Sequence, residues 1–163
     1  MLAVFGCEEK PKKYPTYRGP MVMAETVNTV YSDSGRTRVV LTAPLQQEWA
    51  TGNRTFPKGI QIQFYDAVGN PESKLTAQKG YFDKMTEIYT AQGNVQVENL
   101  HEKRKLKSEE LKWSRFEKRV YTDKFVRIET PEETLFGDGL TASQDFKTYK
   151  ILKLRGTIPV NKL

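Results

Sequence analysis

Apolar and polar positions alternate along most of this chain, the period of a β-strand with one face buried. Residues 59–66, GIQIQFYD, show it most cleanly: Ile60, Ile62 and Phe64 point one way, Gln61, Gln63 and Tyr65 the other, and residues 67–71 follow as a turn. Upstream, Val27, Thr29 and Tyr31 alternate before Ser32-Asp33-Ser34-Gly35, where Asp and Ser can bond their own backbone and Gly supplies a positive φ. Residues 36–43 return as the partner, so 25–43 is expected to be a β-hairpin. Pro44 is expected to stop that strand. Residues 45–55 hold the one window where a helix is tempting, but Gly52-Asn53 breaks it, and an irregular connection carrying Trp49 is expected there.

The middle of the chain repeats. Residues 75–97, LTAQKGYFDKMTEIYTAQGNVQV, return loosely at 106–128 as LKSEELKWSRFEKRVYTDKFVRI, 31 positions later, with Leu75 on Leu106, Phe82 on Trp113, Val95 on Val126 and Val97 on Ile128. Each copy is an alternating run, a polar bend and a second alternating run, which predicts two strands per copy. A third, degenerate copy is expected over 135–160, with Ile158 and Val160 in the places of Val126 and Ile128 and three residues inserted after Leu140. Pro159 marks its last strand as an exposed edge, because proline cannot donate to a ladder. The period never becomes helical, so the expected fold is an antiparallel all-β array.

Composition adds constraints. The chain has 163 residues, enough for one domain with a core, and residues 21–163 show no compositional break. Residues 8–20, with three prolines among charged residues, read as an extended tether. The formal charge of +6 favours an anionic partner without naming it. Cys7 is the single cysteine, which excludes an internal disulfide. The apolar run before it resembles a lipoprotein cleavage box but is shorter than the apolar core of a secretory signal. Two readings stay open: a lipidated Cys7 in a segment whose true start lies further upstream, or an ordinary thiol. No apolar run is long enough for a transmembrane helix.

A catalytic reading has little support. His101 is the only histidine and sits in a basic, polar connection, so a zinc site or histidine-based triad would rest on it alone. Gly137-Asp138-Gly139 lacks the third glycine and following helix of a phosphate loop, and a tight turn is expected. Glu109-Glu110 and Glu132-Glu133 are sequence neighbours, which strands point to opposite faces, so surface charge is expected. Single-stranded nucleic-acid binders interleave cations with aromatics, as around Phe82 and Trp113. Both residues occupy one repeat position, however, which favours repeat core.

The unusual feature is a column of inward positions: Leu41, Ile60, Ile62, Phe64, Leu75, Val95, Val97, Leu106, Trp113, Val126, Ile128, Leu154, Ile158 and Val160. In a closed sandwich the column fills itself. In an open roll it lines a trough for an acyl chain, each methylene contributing about 0.8 kcal/mol on burial. The residues alone leave both readings open, the first describing a structural β-lipoprotein.

An ordered series of motifs then carries a resemblance: AExVNTVYSDSGRTRVVLTAP (24–44), FPKGIQIQFYD (56–66), LTAxxGYF (75–82), YTAxGNVxV (89–97), LxSExLxW (106–113), YTD (121–123) and GxGLxASxD (137–145). Together these resemble the LptC family of lipopolysaccharide export, over roughly residues 22–160. The resemblance implies an open, V-shaped β-jellyroll of two twisted antiparallel sheets, of the kind shared with the OstA-like bridge proteins. It implies a non-enzymatic carrier with no cofactor, no metal and no nucleic-acid partner. Such a protein sits at the periplasmic side of the inner membrane, receives lipopolysaccharide from ABC transporter permease subunits, and passes it to an LptA-like periplasmic bridge protein. The trough would hold the lipid A acyl chains, and the edge strand Thr157, Ile158, Pro159 and Val160 would recruit a partner by strand addition. Family members best known for a transmembrane helix differ from this chain at the N-terminus, where a lipidated Cys7, helped by Lys10, Lys12 and Lys13, would supply the anchor.

Overall fold

In the computed structural model, which describes residues 16–159, the hairpin forms around a two-residue turn. Ser34 and Gly35 both have positive φ, 53° and 74°, the geometry whose twist matches that of the flanking strands. The strands it joins are β1 (Val22–Asp33) and β2 (Arg36–Glu48). Pro44 therefore does not end the strand. It sits opposite Thr26, a left-handed residue (φ 54°) that the ladder skips between the pairs Glu25–Leu45 and Val27–Ala43, and between the stretches of β2 that pair with other strands. A missing N–H costs nothing at such a gap. The expected irregular connection is thus mostly strand, and its true turn is confined to residues 49–53.

Nine more strands follow: β3 (Arg54–Phe56), β4 (Ile60–Tyr65), β5 (Pro71–Ala77), β6 (Lys79–Asp83), β7 (Ile88–Asn99), β8 (Arg104–Ser114), β9 (Arg119–Glu129), β10 (Glu133–Ser143) and β11 (Tyr149–Pro159). Every pairing is antiparallel, and the described residues contain no helix. The repeat is real at this level. Its first copy is β5, β6 and β7, the break at Gln78 splitting one alternating run into two strands, and its second copy is β8 and β9.

The long strands each pass through an irregularity at mid-length, and these irregularities align. Thr26 marks it in β1. Gly93 and Asn94, at φ 77° and 44°, mark it in β7, and the Gln78 amide donates to the Gly93 carbonyl at 3.0 Å. The β8–β9 register shifts between Ser108 and Lys112, and the β10–β9 register between Asp138 and Leu140. A β-bulge bends its strand, so a row of bulges folds the sheet. One half-sheet contains β4 and β5, the other β3 and β6; β2 and β7 pair with members of both. The result is a jellyroll-like pair of half-sheets hinged along the bulges, with β1 and β11 at its edges.

Gly137-Asp138-Gly139 is part of this hinge and not a tight turn. It lies within β10, where Gly139 has φ 74° and a side chain on Gly137 would meet the Lys153 carbonyl oxygen at 2.6 Å.

Candidate functional site

Residues directly opposite in an antiparallel ladder share a face. In the first half-sheet the registers join Leu41, Ile62, Leu75, Val97, Leu106, Ile128 and Leu135 into one row across seven strands, with Thr29 and Thr157 at its ends. In the second, Phe82, Tyr89, Trp113, Val120, Ala142 and Tyr149 form a matching row. The walls face each other where Phe64, on the strand of Ile62 in the first, meets Trp113 of the second edge to face at 5.2 Å; within the second row Tyr89 stacks on its neighbour Trp113 at 5.2 Å. All these aromatic and aliphatic groups belong to one core.

Eleven predicted column residues come together here. Leu41, Ile60, Ile62, Phe64, Leu75, Val95, Val97, Leu106, Trp113, Val126 and Ile128 are all buried, none more than 5% exposed. Two are placed differently. Ile158 is 58% exposed and pairs with Thr134, which pairs with Glu129, so it lies on the outer face. The position level with Ile128 on β11 belongs to Thr157. Leu154 is level with Val126 through Gly137 but sits at the free edge, 60% exposed. The bulge at Phe136/Gly137 shifts the register between them, which alignment by spacing could not anticipate. Val160 and Cys7 lie outside the described residues. Of the predicted edge positions, Thr157, Ile158 and Pro159 lie on β11, the last strand of the sheet, with Pro159 opposite Glu133.

Phe82, expected as repeat core at the position of Trp113, is buried in the second wall; the predicted column left out Phe56, Tyr89, Leu111, Val120 and Leu140, which are buried there too. Gly80 makes room for Phe56, since a side chain on it would meet the Phe56 ring at 3.0 Å and the Ile60 δ-methyl at 2.9 Å.

Opposite the hinge, the tips of the two half-sheets border a cavity of about 670 Å³. Val39 and Trp113 contribute apolar walls, while Arg38, Arg115, Lys118 and Lys147 bring cations and Asp66, Glu72 and Asp145 carboxylates. The Asp66 carboxylate is committed to its own turn. It accepts from the amides of Val68, Gly69 and Asn70, and the Asn70 amide above all holds its pKa below the usual carboxylate range. Beside the cavity, Tyr31 and Tyr89 share a hydroxyl–hydroxyl hydrogen bond, and the Arg115 guanidinium lies 5.2 Å from the Tyr31 ring centre. Burial, reinforced by that hydrogen bond, pushes the Tyr89 phenol above its ordinary pKa. The hydrogen bond between the pair joins the two half-sheets.

His101 is exposed in the β7–β8 turn, where its amide donates to Asn99 Oδ1 at 3.0 Å. Among the described residues, no three His, Cys, Asp or Glu side chains gather as a metal site, and no helix is long and apolar enough to cross a membrane. The arrangement offers an apolar interior between two hinged walls and a polar, mixed-charge mouth. Such a site is suited to holding an amphiphile.

No curated protein matches the chain. A family model described as lipopolysaccharide-assembly, LptC-related, matches residues 5–158. The all-β architecture fits that match, and the chain belongs to the LptC-related family of lipopolysaccharide assembly in the cell envelope.

Proposed function

We propose that this protein is a non-enzymatic carrier that accepts lipopolysaccharide acyl chains between its two half-sheets. It takes the lipid from ABC transporter permease subunits at the periplasmic face of the inner membrane and hands it to an LptA-like bridge protein. The observation that carries this reading is the uninterrupted apolar row from Leu41 to Leu135, faced by a second row on a hinged wall. Parting the walls would expose apolar surface to water, and acyl chains cover that surface at about 25 cal/mol per Å². The exchange is therefore close to neutral for the protein and favourable for the lipid. Hand-over by strand addition suits the edge strand β11, and a lipidated Cys7 would provide the membrane tether.

A photo-crosslinker placed in cells at Ile62, Val97 or Ile128 should capture lipopolysaccharide, while one at Gln61 or Gln96 on the outer face should not. Equal labelling of both faces would reject the interior as the site. A structural role with a permanently filled core is the second reading, and the near-complete burial of the eleven column residues favours it. It predicts no lipid at any of these positions.

A further inference from the structure

Six polar side chains are buried among the described residues: Glu72, Ser73, Asn99, Ser108, Ser114 and Thr122. A buried polar group must find a partner, so where each one bonds shows what it is for. Three serve their own neighbourhood. Ser108 donates to the Phe125 carbonyl on the adjoining strand, Ser114 accepts from the Glu117 amide in its turn, and Thr122 accepts from the Lys124 amide.

The other three lie at the tip of the first half-sheet, and all reach the β10–β11 loop at the tip of the second. Ser73 Oγ donates to the Gln144 carbonyl at 2.9 Å and Asn99 Nδ2 to the Asp145 carbonyl at 2.8 Å. Glu72 is ion-paired with Lys147, and Arg104 donates to the Lys147 carbonyl at 2.7 Å. The loop is thus held at the backbone carbonyls of Gln144, Asp145 and Lys147 and at the Lys147 side chain by the opposite wall, beside the mouth cavity.

The loop itself is under tension. Phe146 at its centre has φ 56°, a left-handed conformation unfavourable for an aromatic residue, and it is buried against Tyr149 with ring centres 5.5 Å apart. Such a conformation persists only while its surroundings hold it. Release from the opposite wall therefore lets the loop relax.

We infer that residues 144–148 are a latch across the mouth: while bound to Glu72, Ser73, Asn99 and Arg104 they keep the half-sheets closed, and their release admits the acyl chains of an amphiphile. This rests on the carrier reading above. The test is Ser73→Ala combined with Arg104→Gln, which removes two tip-to-loop bonds and leaves both apolar rows intact. Hydrogen exchange is followed in parallel with uptake of fluorescently labelled lipopolysaccharide by the purified full chain.

Amides of 144–148 should exchange about tenfold faster, with strands β4 and β7 unchanged, and lipopolysaccharide should enter several-fold faster than in the wild type. Unchanged exchange in the loop, or an equal rise throughout the chain, overturns the latch. Faster loop exchange with unchanged uptake also overturns it, while leaving the carrier reading intact. If neither protein takes up lipopolysaccharide, the carrier reading fails and the latch has nothing to admit.

Discussion

Gly137 and Gly156 lie on the neighbouring strands β10 and β11, and they differ in what one methyl group would meet. At Gly137 it meets the Lys153 carbonyl oxygen at 2.6 Å, part of a backbone that cannot swing aside; at Gly156 nothing lies within 4 Å. Gly137→Ala should therefore cost about 1–3 kcal/mol in denaturant unfolding, and Gly156→Ala within about 0.5 kcal/mol of zero. The same logic separates two isoleucines. Ile128 is fully buried in the first apolar row, so Ile128→Ala should destabilise by about 2–5 kcal/mol, whereas exposed Ile158→Ala should change stability by less than about 0.5 kcal/mol. Asp66 gives a pH signature. Its folded pKa lies below the unfolded value, so its contribution is present above the unfolded pKa of about 4 and is lost as pH falls through the folded one. The melting temperature of Asp66→Ala should lie below that of the wild type at neutral pH, and the gap should close as the buffer is acidified below that range. A gap independent of pH would mean that the carboxylate charge does not stabilise the turn.

At the scale of elements, the turn of the first hairpin can be tested directly. Gly35 has φ 74° with open space around it, so Gly35→Val should be destabilising through backbone conformation alone, by about 1–2 kcal/mol, with Gly35→Asn recovering most of the loss. Strand existence was legible in the sequence because alternation depends on which face is buried, and β4 alternates buried Ile60, Ile62 and Phe64 with half-buried Gln61, Gln63 and Tyr65. Bulges were not legible. Pro44 reads as a stop only if the ladder is continuous, and it is not, since Thr26 opposite it is skipped. Gly137 to Gly139 read as a turn because glycine signals both turns and bulges, and only the pairing of β10 with both neighbours tells them apart. The same bulge moved the β11 register, so that Leu154 is level with Val126, the place assigned to Ile158, and Thr157 is level with Ile128, the place assigned to Val160. Of the second wall, Phe82 and Trp113 were legible through their shared repeat position, whereas Phe56, Tyr89, Leu111, Val120 and Leu140 lie in runs without the V-x-V ending that marked the first.

Over the whole molecule, the line of bulges turns one continuous antiparallel sheet into two facing walls, and the polar centre of each repeat copy is the turn that joins its strands. Both walls are apolar inside, and in the closed form they fill the space between them. Carrying lipid then requires the tips to move apart while the hinge holds. Val68 and Phe116 are exposed at the tips of the first and second half-sheets, in the β4–β5 and β8–β9 turns. The most direct measurement is the distance between spin labels on cysteines at these two positions, in a Cys7→Ser background, with and without lipopolysaccharide. Acyl chains between the walls should lengthen it by about 4 Å or more, the thickness of one packed layer of carbon atoms. An unchanged distance at saturating lipopolysaccharide would contradict the account, because lipid would then be bound elsewhere or not at all.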